Sequence, residues 1–419
     1  MECIQRATAW MERDPNERTS QYVKDLLVRH SDGSEDAGKE LLSLFPDDGS
    51  RIEFGTAGLR SKMMPGPLGM NEVVVVQTAQ GLARCCQKEH SGESNIRIVV
   101  GYDHREQAAL GLSSLSFAII SAIVFKQAGI ECVLLDGYVH TPLVSFSTVR
   151  LGAAAGIMVT ASHNPKDDAG YKVYWQDGCQ IRPPIDKEIS AAIGLNMEPW
   201  ADYKDILVGL HETAEGDPCL GLSDREVTER MKEAYFDAIK QSGLVIPVSV
   251  ATAPSFVYSA MHGIGFPFAR RVFDLFGIPQ FNSVSLQELP DPMFSSVPFP
   301  NPEEKGALDA AKQYALEIGS TVVFANDPDA DRLAVAEFCK ASESWTTFTG
   351  DQIGVLLGCW LWEKIGKRSD KVCPLSLSCC GVYCTFLTPC LVSTASCNVC
   401  LSSVLSHAKQ SSRSRRVSI

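Results

Sequence analysis

The stretch Ala153-Ala-Ala-Gly-Ile-Met-Val-Thr-Ala-Ser-His-Asn-Pro165 decides how this chain is read. Its first seven residues are apolar, too few for a stable helix and closed by a polar turn, which predicts a strand buried on both faces. Thr160 to Pro165 is then a small polar loop, and a rigid strand end holds such a loop in a fixed place. Ser162, flanked by His163 and Asn164, is a candidate to present one hydroxyl to a cleft. Taken alone, Ser162 to Pro165 reads better as an ordinary polar turn, so the surrounding chain has to decide.

Outward from that loop, strands and helices alternate. Ile96 to Gly101 is apolar and β-branched, Gln107 to Gln127 has helical periodicity closing at Gly129, Glu131 to Leu135 reads as a strand, and Tyr171 to Trp175 alternates as another. Upstream, Ala7 to His30 and Glu35 to Leu44 are helical in pattern. Charge runs and loss of pattern from Glu198 to Pro218 predict a boundary. Beyond it come an amphipathic helix, Asp224 to Ser242, and a strand at Ile246 to Val250, after which Ala253 to Met261 leads into His262-Gly-Ile-Gly265. A helix at Phe266 to Phe276, a proline-rich loop at Asp291 to Pro302, a helix at Ala307 to Leu316 and a strand at Thr321 to Ala325 complete the series. Such alternation predicts α/β layers, with ligands gathering at strand ends.

Two further loops carry chemistry. Phe54-Gly-Thr-Ala-Gly-Leu-Arg60 joins backbone-exposing glycines to an arginine, so its N–H groups and Arg60 suit an anion. Asn326-Asp-Pro-Asp-Ala-Asp-Arg332 follows an apolar strand with three carboxylates at alternate positions. Their mutual repulsion makes a hard divalent cation the economical explanation, an exposed acidic turn being the alternative. An EF-hand is excluded: counting from Asp327, Arg332 stands where the glycine belongs and Phe338 where the last acidic ligand belongs. A haloacid-dehalogenase phosphatase, which also sets aspartates after a strand, would prefer Thr or Val at Asp331. His262-Gly-Ile-Gly265 is not a dinucleotide fingerprint, because Phe268 occupies the third glycine position.

Composition narrows the partners. The 419 residues, 45% hydrophobic, suffice for two or three domains, and a net charge of −12 argues against a nucleic-acid surface. The first residues hold no apolar signal core, and no stretch before residue 370 is an uncharged span long enough for a bilayer, so a cytoplasmic protein is expected. Of 15 cysteines, seven crowd into the chain from Cys373 to Cys400; the others are scattered as in a reduced cytosolic protein.

In their order, the Phe54 to Arg60 loop, the Thr160 to Pro165 loop with Gly170-Tyr-Lys172 behind it, and the Asp327 to Arg332 loop resemble the α-D-phosphohexomutase family. Gly156 to Pro165, Tyr171-Lys-Val-Tyr-Trp175 and Asn301-Pro-Glu-Glu304 point to the branch of the eukaryotic phosphopentomutases and their glucose 1,6-bisphosphate synthase relative. The resemblance, over roughly residues 5 to 366, implies an intramolecular phosphotransferase. It would interconvert sugar 1-phosphates (ribose, deoxyribose or glucose) with 5- or 6-phosphates through a phosphoserine and a bisphosphate intermediate. It implies Ser162 as phosphoryl carrier, and Mg2+ held by Asp327, Asp329 and Asp331 with a Ser162 phosphoryl oxygen. It further implies Lys172 as general acid or base assisted by His163, Thr56, Arg60 and Arg332 on the substrate, and glucose 1,6-bisphosphate as primer. His163 as a hydrogen-bonding loop residue stays an equal alternative. A monomer without membrane or nucleic-acid partners is expected.

The implied fold is a repeat of three-layer α/β domains with mixed sheets. Its first domain spans 1–205 with the phosphoserine loop and its second 206–340 with the metal loop, and 341–370 opens a third. Val372 to Ser406 has no charged residue and nothing like the family's sugar-recognition or terminal phosphate-binding loops. The segment 371–419 therefore reads as an aberrant Cys/Ser-rich tail, from translated intron or an alternative or mispredicted exon; a membrane anchor, the competing reading, fits its many serines and cysteines poorly. A truncated, non-catalytic relative, or a glucose 1,6-bisphosphate synthase, is the alternative reading.

Overall fold

The computed structural model describes residues 2–56, 58–93, 95–213, 216–242 and 255–364. Its described chain divides into two compact units, one from Met1–Lys232 with Asp291–Phe299, the other from Glu233–Pro290 with the chain from Pro300 on. In the first unit the strands are β1 Leu59–Lys62, β2 Arg97–Tyr102, β3 Glu106–Gln107, β4 Leu112–Ser113, β5 Glu131–Leu135, β6 Ala155–Val159, β7 Asp168–Trp175 and β8 Ser223–Asp224. Its helices are α1 Glu2–Arg13, α2 Glu17–Ser31, α3 Glu35–Leu44, α4 Glu72–Glu89, α5 Ser114–Gln127, α6 Thr141–Arg150, α7 Ile185–Leu195 and α8 Tyr203–Thr213; α9, Arg225–Gln241, begins in this unit and ends in the other. The second unit continues with β9 Phe256–Ser259, α10 Phe266–Phe276, β10 Asn282–Ser283, α11 Asp309–Glu317, β11 Val322–Asn326, β12 Leu333–Cys339, β13 Ser344–Phe348 and α12 Gly350–Lys364.

Both sheets are mixed in the same manner. The first runs β1-β7-β6-β2-β5-β8, in which β6, β2, β5 and β8 are parallel and β7 is antiparallel to both β6 and β1. The second runs β10-β9-β11-β12-β13, parallel as far as β11 and antiparallel beyond it. In each unit one loop leaves the last parallel strand and re-enters antiparallel: 160–167 between β6 and β7, 327–332 between β11 and β12. These are the serine loop and the three-aspartate loop, so each stands at the carboxyl end of its parallel strands, the end at which ligands of such sheets gather.

The core explains the strand and helix pattern. All of β6 is buried, and α4 and α5 are buried nearly all round, from Val74 to Cys86 and from Phe117 to Phe125, between the sheet and neighbouring helices. A second apolar cluster joins Val257, Val323, Ala325 and Ala336 of the other sheet to Leu308, Ala311 and Ala315 around α11. No described helix is long and apolar enough to cross a membrane.

Three local expectations change. Ala7 to His30 is two helices, because Pro15 cannot continue α1 and Asn16 caps α2, its side chain accepting from the N–H groups of Arg18 and Thr19. Residues 107–113 form a small hairpin and a left-handed turn at Gly111, φ 64°, and α5 starts only where Ser113 and Ser116 make a reciprocal capping box. The expected boundary at 198–218 contains α8, whose Ile206, Leu207 and Leu210 pack on the first core. The predicted strand Ile246–Val250 and the tail from 371 lie outside the described residues.

Candidate active site

The serine loop is built to hold one unusual backbone conformation. Ser162 has φ 52°, the left-handed region that a non-glycine residue enters only against steric resistance, and it is 2% exposed. Its N–H donates to Thr160 Oγ1 at 2.8 Å, Thr160 N–H donates to the Gly170 carbonyl, and Asn164 N–H to the Ala161 carbonyl. Ser162 Oγ lies 3.3 Å from His163 Nδ1.

Around it stand groups from distant parts of the sequence. Arg60, on β1, donates from Nη1 to Asn164 Oδ1 at 3.0 Å, and Asn164 Nδ2 donates to Asp168 Oδ2 at 2.9 Å. Lys172, 6% exposed, is on β7 opposite Met158 of β6, while its neighbour Tyr171 points into the core to donate to Ser121 Oγ. Thr56 is exposed in the tight Gly55–Gly58 turn ahead of β1. That turn needs its glycine: a Cβ on Gly58, φ 74°, would sit 1.9 Å from the Tyr171 carbonyl oxygen. Thus Thr56, Arg60, Ser162, His163 and Lys172 fall on β1, β7 and the loops beside them.

Beneath the loop lies a residue that the sequence reading passed over. Arg105, 1% exposed, donates from Nη2 to the carbonyls of Ser162 at 2.6 Å and Asn164 at 2.8 Å, and from Nη1 to those of Pro165 at 2.7 Å and Asp168 at 3.1 Å. The signal was available: Asp103-His104-Arg105 is a charged triplet placed directly after a buried strand, β2, next to β6 in the sheet.

The second unit presents the acidic loop. Asp327 and Asp329 are fully buried, Asp331 is half-buried, and one carboxylate oxygen from each lies within 4.8 Å of the others. Ala330, φ 54°, bends the loop inward, and its N–H closes a turn on the Asp327 carbonyl. Asp327 Oδ1 accepts from the Arg332 N–H at 2.9 Å, and the Arg332 side chain, 43% exposed, stays 3.9 Å from Asp327 Oδ2. Asn326 braces both ends, donating to the Arg332 carbonyl and accepting from Tyr258 Oη at 2.8 Å. Oxygen donors so grouped and buried suit a hard divalent cation rather than a solvated acidic turn.

His262-Gly-Ile-Gly265 acquires a role here. Ile264 N–H donates to the Pro328 carbonyl at 2.9 Å, and a Cβ on Gly263 would meet Pro328 Cα at 2.4 Å. These glycines are close-approach positions that let the chain pass against the acidic loop.

The domain I model described as phosphoglucomutase/phosphomannomutase, alpha/beta/alpha domain I, matches residues 51–198, and that for alpha/beta/alpha domain II matches 233–339. The chain belongs to the phosphoglucomutase/phosphomannomutase family. Within this family, human phosphopentomutase is 39% identical over 372 residues, 88% of this chain and 57% of that protein. Phosphoribomutase of Saccharomyces cerevisiae is 38% identical, covering 88% and 58%, and human glucose 1,6-bisphosphate synthase 35%, covering 87% and 56%. The chain thus spans somewhat over half the length of these relatives. A crystal structure of a phosphoglucomutase/phosphomannomutase family protein from Burkholderia thailandensis shares the fold, with a TM-score of 0.54 at 20% identity over 74% of this chain and 59% of that one.

Proposed function

We propose that this family member is a sugar-phosphate mutase that moves a phosphoryl group between the 1-position and the 5- or 6-position of ribose, deoxyribose or glucose phosphates, by way of a phosphoserine at Ser162. The observation that carries this reading is the buried Ser162 hydroxyl, held at positive φ beside His163 on a loop tied to Arg60. Higher identity to phosphopentomutase and phosphoribomutase than to glucose 1,6-bisphosphate synthase supports the mutase over the synthase.

In the proposed cycle the hydroxyl oxygen of a sugar monophosphate attacks the phosphorus on Ser162. The P–O bond to Oγ breaks, Oγ returns to the enzyme, and Lys172 or His163 takes the hydroxyl proton. The bisphosphate formed then gives its other phosphoryl group to Ser162 Oγ, and the proton returns to the sugar oxygen left behind. Arg60 and the turn at Thr56 would hold a phosphate by charge-assisted hydrogen bonds. Asp327, Asp329 and Asp331 would hold Mg2+, which when bound offsets negative charge on the group in transfer. Arg332 would keep Asp327 oriented through its N–H.

The test is turnover: protein, ribose 1-phosphate, Mg2+ and glucose 1,6-bisphosphate primer should yield ribose 5-phosphate, and Ser162→Ala should yield none. Phosphorylation of Ser162 without isomerised sugar would instead support a non-catalytic relative.

A further inference from the structure

Arg105 uses both terminal nitrogens of its guanidinium on four carbonyls of one loop, at 162, 164, 165 and 168. A planar fork with fixed donor directions can hold such a set at once, which a lysine ammonium on a flexible stem does not reproduce. Its charge is matched inside the unit. Asp103 Oδ2 lies 3.5 Å from Arg105 Nε, and both side chains are fully buried. Asp103 is itself fixed, its Oδ1 accepting from Ser114 Oγ at 2.5 Å and from the Arg105 N–H at 3.1 Å. The pair is neutral overall, so Arg105 offers the loop geometry rather than net attraction for phosphate.

The far side of the guanidinium is closed by Phe294, whose ring centroid is 5.1 Å from Arg105 Cζ and 5.2 Å from the His104 ring. Phe294 reaches it from residues 291–299, which belong to the first unit although the chain on either side belongs to the second. The excursion is shaped for this: Asp291 accepts from the N–H groups of Met293 and Ser295 through its carboxylate and of Phe294 through its carbonyl, and Phe294 adopts φ 48° with 1% exposure. Excluding water from one face strengthens the hydrogen bonds made at the edge.

We infer that Arg105, covered by Phe294, is the positioning residue that holds the serine loop in the left-handed turn at Ser162 from which the hydroxyl reacts. The inference rests on Ser162 being the phosphoryl carrier. A residue at φ 52° returns to ordinary backbone unless its surroundings over-determine it. Hydrogen bonds to the carbonyl of Ser162 and to three carbonyls that follow it do so.

The test compares the full chain with Arg105→Lys and Phe294→Leu by two readouts. The first is amide exchange of segment 160–168, with segment 322–336 as internal reference. The second is phosphoryl transfer from glucose 1,6-bisphosphate to Ser162, followed by intact mass at several donor concentrations. For Arg105→Lys, exchange in 160–168 should rise at least about tenfold with the reference unchanged, as expected when hydrogen bonds to a charged group are lost. Its saturating transfer rate should fall about 100-fold while the half-saturating concentration stays within about twofold, the split expected when the nucleophile is misplaced but donor binding is intact. Phe294→Leu, which leaves every hydrogen bond in place, should show the same pattern at about fivefold. It also decides the question if Arg105→Lys loosens both segments by failing to fold. Unchanged exchange in 160–168, or raised exchange with an unchanged saturating rate, overturns the inference. Wild-type protein that takes up no phosphoryl group overturns the mutase reading instead, and exchange alone then decides whether Arg105 holds the loop.

Discussion

Arg60 Nη1 donates to Asn164 Oδ1 at 3.0 Å, joining β1 to the serine loop through residues 104 positions apart in sequence. The contact is possible because β1 pairs with β7, Arg60 opposite Gly170, and β7 in turn pairs with β6, from whose end the serine loop departs. Three strands thus carry Arg60 to the residue that follows Ser162-His163.

Replacing Arg60 by Met should therefore act on binding and on loop geometry together. Loss of one charge-assisted hydrogen bond, about 1.5–3 kcal/mol, predicts a fall in kcat/KM of roughly 10- to 100-fold. Steady-state kinetics with ribose 1-phosphate measures it, and thermal unfolding should be little changed because Arg60 is only half-buried. An unaltered kcat/KM would remove Arg60 from the substrate site.

Lys172→Gln tests the proton carrier. Lys172 sits on β7 with its side chain nearly buried, so glutamine can occupy the space without moving the strand. If the lysine transfers the hydroxyl proton, kcat should drop by about 10²- to 10⁴-fold. The complementary change, His163→Gln, separates the two roles left open for that residue. A drop of comparable size makes it a proton carrier, whereas a few-fold effect leaves it as a hydrogen-bonding neighbour of Ser162.

The serine loop and the three-aspartate loop stood out because each follows a short apolar strand, the Phe54 to Arg60 loop only by its glycines and arginine, and the order of the three carried the resemblance. Sheet order was not legible. That β7 and β12 run antiparallel to the strands before them depends on pairings between segments far apart in sequence, which periodicity does not encode. Nor was Arg105 legible as a clamp. An arginine after a strand reads as exposed charge, and only the fold shows it buried among carbonyls that would otherwise need other donors. Helix α8 was hidden because its apolar run, Ile206 to Leu210, is short and only partly buried and lies within a stretch rich in charge.

Stability of the first unit should fall as pH rises toward neutrality. Glu72, at the start of α4, is 5% exposed, and burial, with the nearby Asp14 carboxylate adding to it, pushes its carboxyl up from 4.5 to about 8; burial pushes Asp14 itself up to about 7. A carboxyl with a raised folded pKa holds its proton more tightly when folded, so its penalty is absent below the unfolded value of about 4.5, grows through the interval, and is constant above about 8. Glu72→Gln keeps an acceptor for Asn16 Nδ2 and removes the titration. The variant and wild type should unfold at similar temperatures at pH 5. At pH 8 the variant should be more stable by about 1–3 kcal/mol. Parallel pH profiles would show that Glu72 ionises freely in the folded chain.

The acidic loop makes a prediction independent of turnover. With Asp327 and Asp329 fully buried and Asp331 within reach, three like charges share a small space, and a divalent cation relieves that repulsion only in the folded state. Mg2+ should therefore raise Tm, by an amount equivalent to about 2.7 kcal/mol at 100-fold excess over its Kd, and chelation should reverse it. Asp329→Asn keeps the size of the side chain but removes one charge from the set. Its metal-free Tm should equal or exceed that of wild type, while its response to Mg2+ shrinks sharply. Arg332→Met, which keeps the backbone N–H on Asp327 Oδ1, should respond to Mg2+ nearly as wild type does. An equal Mg2+ response in wild type and Asp329→Asn would assign the cation to some other part of the chain.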